Sequence, residues 1–194
     1  VSCHYDGLGQ APDGTLYPGA NGNASGVAVM LEIIRQWHQE GFQPRRSVLF
    51  VSWAGGVLPY SGAHAFRDES TFLSQYEISS LFHLDRLGGD MGEGLVADQM
   101  GGRDDLYDIL RNSATGLDLS VSEGAASRRN YQRFIVGERG DPYVARYGSL
   151  TITWGNPEAA LGSDTLDHID PQHLSQATEA IHLTLIKAVH EPTY

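Results

Sequence analysis

Short apolar runs alternate with segments of helical periodicity, and this alternation limits the folds open to the chain more than any other feature. The runs cover residues 47–53, 81–87 and 150–154, residues 1–5 resemble the tail of a strand, and each of these segments is followed by a loop rich in glycine or aspartate. Strands that alternate with helices favour a largely parallel sheet covered by helices. The run at 47–53 is almost continuously apolar, which predicts a central strand buried on both faces.

Helical spacing connects these runs. Apolar residues recur every three or four positions from residue 24 to 40, with Asn23 as the predicted N-cap and Gly41 as the predicted end. Residues 104–114 and 142–147 also predict helices, and a last one starts at Pro171 with Asp170 as its N-cap. The fold class predicted is α/β: a mostly parallel, mixed central sheet flanked by helices in three αβα layers.

Length and charge narrow the class of protein. A chain of 194 residues with 41% hydrophobic residues predicts a single domain over 1–194. The net charge of −11, with no basic cluster, would repel phosphate backbones, so nucleic acid is not expected as a partner. Cys3 is the only cysteine, which excludes an internal disulfide, and no apolar run reaches the length of a membrane span.

In such a sheet a site is expected where the carboxyl ends of the strands meet loops. Those ends carry fragments that occur in one order along the chain: SCHYD, GANGNASGVAVMLEIIR, GFQPRRSVLFVSWAGG, HLD, ITWGNP and DTLDHIDPQHL. In this order they resemble the superfamily of zinc aminopeptidases, glutamate carboxypeptidase and the transferrin receptor. The resemblance implies a zinc-peptidase fold of the phosphorylase/hydrolase type. Because the chain starts without Met and almost inside a motif, we expect it to be part of a longer protein.

The resemblance also implies positions for the metal site. Active members hold two zinc ions through His, Asp and Glu ligands, and a further Glu acts as the base. His4 matches the first ligand, Asp6 matches the residue that orients it, and Asp85 matches a ligand of the same metal. These three residues are the predicted vestige of a metal site.

The other positions of that site carry residues without donor atoms in their side chains. Gly22 stands where the family has the bridging Asp, Gly56 and Val57 where it has the base and the ligand Glu, and Ala160 where it has the last His. Catalytic zinc normally needs three protein ligands, so no zinc cofactor is expected. The sequence therefore predicts a non-catalytic, peptidase-like chain with a binding or structural role.

Two other functions stay open at this stage. One is a metal-dependent exopeptidase whose metal site is rebuilt or is completed by another chain. The other is a binder of peptide termini that uses the old cleft without cleavage. A protein or peptide partner is expected both for the non-catalytic binding role and for the binder of peptide termini. The resemblance implies an extracellular or cell-surface location.

Several single residues have two interpretations. His4 and Asp6 are either a half-site for a metal or a structural hydrogen-bonded pair, and an ion pair of Asp85 with His4 would raise the pKa of the histidine. Adjacent strand residues face opposite sides, so Cys3 is predicted to pack in the core rather than to act as a nucleophile. Ser61 lacks the flanking glycine spacing of a nucleophile elbow and is not expected to be a nucleophile. We expect the following to be surface, turn or capping residues rather than a second site: His64, Asp164, Asp167, His168 and His182.

Overall fold

The computed structural model describes residues 1–55, 61–69, 71, 75–76, 78–101, 105–124, 148–155 and 163–190 of the chain. Its strands are β1 (Ser2–His4), β2 (Gly9–Gln10), β3 (Leu16–Tyr17), β4 (Val51–Trp53), β5 (Ser80–Leu84), β6 (Leu95–Gly101), β7 (Val121–Glu123) and β8 (Gly148–Trp154). Its α-helices are α1 (Gly26–Glu40), α2 (Ser61–Glu69), α3 (Asp105–Thr115) and α4 (Pro171–His190). A π-helical turn, Ala20–Ser25, precedes α1, and a 3-10 turn, Leu166–His168, precedes α4.

The main sheet has six strands in the order β4-β1-β5-β8-β6-β7. Neighbouring strands from β4 to β8 run parallel, β8 pairs antiparallel with β6, and β6 pairs parallel with β7. This mixed, mostly parallel sheet confirms the predicted class. The parallel run brings the carboxyl ends of β4, β1, β5 and β8 to one edge, where a site was expected.

Helices contact both faces of the sheet. Cys3 points to one face, where its sulfur lies 3.9 Å from the sulfur of Met30 on α1. Trp53 pairs with His4 and so points to the other face, where its ring packs against Phe66 of α2 at 5.3 Å between centroids. The layers are therefore helix, sheet and helix, as the sequence predicts.

One apolar core lies between the sheet and the helices α1, α3 and α4. Its fully buried side chains include Ile33 of α1, Leu110 of α3, Ile181 of α4 and Ile152 of β8. Cys3 belongs to this cluster with no exposed surface, which confirms the prediction that it packs in the core. Burial of these side chains from several elements fixes the helices over the strands.

The helix ends largely follow the sequence signals. Asp170 accepts a hydrogen bond from the backbone N–H of Gln172 at 2.7 Å, as an N-cap does, and Gly41 ends α1 in the left-handed conformation with φ 64°. α1 begins at Gly26 rather than at residue 24, yet Asn23 still accepts the N–H of Gly26 at 3.2 Å. The predicted helix at 142–147 lies outside the described residues.

The prediction of a central strand at 47–53 is wrong. Regular pairing starts only at Val51, and within the described residues β4 pairs with β1 alone and lies at the end of the sheet. Leu49 is 42% exposed, while Phe50 packs edge-on against Trp37 of α1 at 5.6 Å. An apolar run records which side chains can be buried, but not whether a strand has neighbours on both sides.

Candidate functional site at the carboxyl ends of the strands

Three of the predicted site residues lie together at the carboxyl edge of the sheet. His4 ends β1 and Asp85 follows β5, which is the neighbour of β1. Nε2 of His4 lies 3.6 Å from Oδ1 of Asp85. Nδ1 of His4 lies 3.1 Å from the carbonyl oxygen of Asp6 and 3.4 Å from its carboxylate. Both nitrogens of the imidazole therefore face oxygen atoms.

This arrangement shifts both ionisation equilibria toward the charged forms. Burial alone would lower the pKa of His4, but the hydrogen bond and negative charge of Asp85, with those of Asp6, together raise it above its ordinary value. Burial would raise the pKa of Asp85, but His4 and Arg86 together hold it below its ordinary value. At 3.6 Å the two side chains form a partly buried ion pair whenever His4 is protonated.

A second histidine lies under this pair. His83 is fully buried on β5, and its Nδ1 shares a hydrogen bond of 2.9 Å with the hydroxyl of Ser2. Burial lowers the pKa of His83 to about 3, although the charge of Asp85 acts in the opposite direction. His83 therefore stays neutral. His4, which lies on β1 two residues after Ser2, the pairing partner of His83, is the protonatable partner of Asp85.

The π-helical turn Ala20–Ser25 positions the loop that follows Asp85. Three consecutive backbone amides of this loop are bound by side chains of the turn. The N–H of Arg86 donates to Asn23 at 2.9 Å, that of Leu87 to Ser25 at 2.9 Å, and that of Gly88 to Asn21 at 2.9 Å. All three accepting side chains are buried, so the two segments hold each other rigidly.

Asn23 also ties the turn to the strands. Its amide nitrogen donates to the carbonyl oxygens of His4 at 3.2 Å and Leu84 at 2.9 Å. Because these carbonyls close β1 and β5, one buried side chain fixes the spacing of the strand ends that carry His4 and Asp85. The sequence indicated Asn23 only as a helix cap.

Gly22 lies between these buried residues in the turn and is itself partly exposed. A β-carbon on Gly22 would lie 3.1 Å from Nε of Arg86 and 3.3 Å from Oδ2 of Asp164. Asp164 accepts the backbone N–H groups of Asn21 at 2.6 Å and Gly22 at 2.8 Å. At the position matched to the bridging Asp, the space beside the glycine is therefore taken by the side chains of Arg86 and Asp164. The carboxylate of Asp164 is itself bound to backbone N–H groups of the turn.

Asp164 differs from its prediction as a turn or capping residue, because its carboxylate binds backbone groups that lie 143 and 142 residues away in sequence.

Asp167 is exposed, and His168 pairs with Asp90 at 3.1 Å at the surface. His182 is half-buried beside Trp37 of α1, with 6.4 Å between ring centroids, so it is not the surface residue predicted. For a histidine at the border between the apolar and polar faces of a helix, the amphipathic pattern does not decide whether the side chain is buried or exposed.

The remaining predicted residues have mixed outcomes. His64 is half-buried on α2, as His182 is on α4, so it too differs from the predicted surface position, whereas Ser61 is exposed. The predicted positions Gly56, Val57 and Ala160 lie outside the described residues. Their residue types nonetheless carry no side-chain oxygen, nitrogen or sulfur that could bind a metal.

Among the described residues, the donor side chains at these strand ends are fewer than a catalytic zinc site of the family takes. Within the ranges that the structure describes, no group of three His, Cys, Asp or Glu side chains is placed to hold a metal ion. Nε2 of His4 lies 3.6 Å from Oδ1 of Asp85, and Gly22 has no side chain that could add a donor. A catalytic zinc site normally takes three protein ligands, which this part of the chain does not assemble.

The sequence profile of Peptidase family M28 matches residues 1–185 of the chain. The chain belongs to this family. Among M28-like relatives, aminopeptidase YwaD of Bacillus subtilis is 25% identical over 205 residues, which cover 97% of this chain and 40% of the relative. Transferrin receptor protein 2 of Rattus norvegicus is 33% identical over 94 residues, which cover 47% of this chain and 11% of the receptor.

The fold agrees with M28 membership. The structure of BSAP, a zinc aminopeptidase from Bacillus subtilis, superimposes with a TM-score of 0.78 at 21% identity, covering 98% of this chain and 46% of that one. The chain thus spans less than half the length of each of these relatives. No described helix of this M28 chain is both long and apolar enough to cross a bilayer.

Two residues that shape the site were missed by sequence reasoning. Arg86 follows Asp85 directly, and its position with φ 53° puts its side chain beside Gly22. Asp164 was predicted to be a turn or capping residue. The adjacent pair Asp85-Arg86 is a readable signal for a charge beside the site, whereas the contact of Asp164 with the turn depends on tertiary structure.

Proposed function

We propose that this chain is the peptidase-like part of a non-catalytic protein that keeps the M28 scaffold for binding or architecture. The observation that carries the proposal is the surrounding of Gly22. Where active relatives have a bridging carboxylate, this chain has no side chain, and Arg86 and Asp164 pack on the open side of the glycine.

The chemistry of the family supports the same proposal. In an active relative, divalent metal lowers the pKa of a bound water, and a carboxylate moves its proton. The residues matched to that carboxylate and to the neighbouring ligand are Gly56 and Val57, and Ala160 matches a further ligand. Loss of a general base alone costs roughly two to four orders of magnitude in rate. The effects on rate of losing several residues of one catalytic unit are not additive, because these residues act as a unit.

A binding role also agrees with one of the relatives. Transferrin receptor protein 2 is named as a receptor, and part of it is 33% identical to part of this chain. We therefore include a protein or peptide partner, and a location outside the cell or at its surface, in the proposal. No residue of the described cleft identifies that partner beyond its class.

The test is an assay of the purified protein in the presence of added zinc. Aminoacyl and N-acetylated dipeptide substrates should give no products above those of a His4→Ala variant. Hydrolysis that is lost in both His4→Ala and Asp85→Ala variants would contradict the proposal. Saturable binding of such peptides without products would specify the binding role as recognition of peptide termini.

A metal-dependent hydrolase is the second candidate, because His4 and Asp85 remain together at 3.6 Å. In this candidate a metal would be completed by groups from another chain or from a rebuilt part of the site. It requires stoichiometric zinc and turnover that depends on His4 and Asp85. The same peptidase assay separates the two candidates.

A further inference from the structure

Arg86 lies in an unusual backbone conformation that is fixed from two sides. Its φ of 53° is in the left-handed region, which residues other than glycine rarely adopt. The N–H of Arg86 donates to Asn23 at 2.9 Å, and its carbonyl accepts the N–H of Trp154 at 3.0 Å. These two bonds hold the residue in the conformation that directs its side chain along the cleft edge.

The guanidinium lies between the retained ion pair and the position of the missing carboxylate. Nε of Arg86 is 4.0 Å from Oδ1 of Asp85, the same oxygen that lies 3.6 Å from His4. On its other side, Nε would lie 3.1 Å from a β-carbon at position 22. An arginine keeps its proton at any physiological pH, so this is a permanent positive charge.

We propose that Arg86 is a built-in cation that takes the place of metal charge in this cleft and keeps divalent cations away from His4 and Asp85. The inference deepens the proposed non-catalytic function and rests on it. It adds that the loss of metal is enforced by a charge in place, and not only by missing ligands. Restoring the carboxylate at position 22 would then give an ion pair with Arg86 instead of a metal ligand.

The physical reason is competition for the same oxygens. A divalent cation bound by His4 and Asp85 would lie close to Oδ1 of Asp85, and the guanidinium of Arg86 lies close to the same oxygen. Repulsion between positive charges at such a distance is large when the site is partly shielded from water. A carboxylate side chain at position 22 would, moreover, have its β-carbon in close contact with Nε, where an arginine and a carboxylate pair readily.

The experiment compares zinc binding in four variants that share Gly22→Asp. Gly22→Asp alone provides His4, Asp85 and the introduced carboxylate as donors but retains Arg86. Gly22→Asp with Arg86→Gln removes the charge at the site. Gly22→Asp with Arg111→Gln is the matched control, since Arg111 is an exposed residue of α3 that pairs with Asp108.

Calorimetric titration with zinc chloride alone is expected to show one zinc per chain in Gly22→Asp/Arg86→Gln. Its affinity should be at least tenfold higher than that of Gly22→Asp and of the Arg111 control. Gly22→Asp/Arg86→Lys keeps a positive charge and should bind as weakly as Gly22→Asp. Circular dichroism checks the fold, and Arg86→Met replaces Arg86→Gln if the latter variant does not fold.

Equal zinc affinity with and without the charge at position 86, including no binding in either variant, would overturn the inference. Such a result would leave the proposed non-catalytic function intact. Failure of that function appears instead as zinc-dependent hydrolysis by the protein with its own Gly22 and Arg86. The two outcomes are therefore distinguishable within one set of samples.

Discussion

Nε2 of His4 lies 3.6 Å from Oδ1 of Asp85, so the two retained ligand-type residues contact each other directly at neighbouring strand ends. Asp85 and Asp6 raise the pKa of His4 above 6.5 against the effect of burial. Because the pKa is raised on folding, His4 contributes stability below pH 6.5 that is lost as the pH rises through its folded-state pKa.

We predict that NMR titration of the His4 ring gives a pKa above 6.5 and that Asp85→Asn lowers this pKa, because the substitution removes the negative charge beside Nε2. Asp90→Asn is the control, because Asp90 pairs with His168 instead. The Asp90→Asn substitution should leave the pKa of His4 unchanged. An unchanged His4 pKa in Asp85→Asn would show that the ion pair does not determine the charge of this histidine.

His83 should make the protein sensitive to mild acid. Its pKa falls from 6.5 to about 3 on folding, so the stability linked to its neutral form is complete above pH 6.5 and is lost as the pH falls from there toward 3. At pH 5 the loss from this residue should be about 2 kcal/mol. Urea unfolding at pH 7.5 and pH 5 measures it.

The comparison that isolates His83 uses His83→Gln, which cannot take up a proton. Its stability at pH 7.5 should be lower than that of the parent, but its change between the two pH values should lack this loss. The opposite contribution of His4 is common to both proteins and cancels. His168→Gln, at an exposed position, should behave like the parent; identical pH dependence in His83→Gln and the parent would disprove the assignment.

Asp164 should stabilise the turn that carries Gly22. Its carboxylate accepts the N–H groups of Asn21 and Gly22 at 2.6 and 2.8 Å, and a hydrogen bond to a charged group contributes about 1.5–3 kcal/mol. We expect Asp164→Ala to lower the free energy of unfolding by about 2–4 kcal/mol in chemical denaturation. Asp167→Ala, at an exposed position nearby, should change it by less than about 0.5 kcal/mol.

Gly26 should not tolerate a methyl group. A β-carbon there would lie 2.7 Å from the carbonyl oxygen of Leu84 and would also collide with the side chain of Asn23. Gly26→Ala should therefore destabilise the protein by about 1–3 kcal/mol despite the better helix propensity of alanine. Gly7→Ala is the control, because nothing lies within 4 Å of its position; equal thermal stability of the two variants would contradict the packing argument.

The sequence was sufficient for the α/β class and for the position of His4 and Asp85, because both depend on local pattern and on the rule for strand ends. It was insufficient for β4, because the apolar run at 47–53 does not show which strands lie beside it, and within the described residues this strand lies at the end of the sheet. The cap at Asp170 was predictable because the bond spans two residues.

The surroundings of Gly22 were beyond sequence reasoning for a different reason. The contacts of Asp164 cross more than 140 residues of chain, and Asn21, Asn23 and Ser25 bind amides of a loop more than 60 residues away. A motif such as GANGNASG shows which side chains are present. Which backbone groups they satisfy depends on the packing of β1, β5 and α1.

The zinc content of the protein after equilibrium dialysis against micromolar zinc tests most directly whether these strand ends lack the ligands for catalytic zinc. Elemental analysis should give well under one zinc per chain, with no difference between the parent and a His4→Ala/Asp85→Ala variant. One or two zinc ions per chain that disappear in this variant would contradict the account.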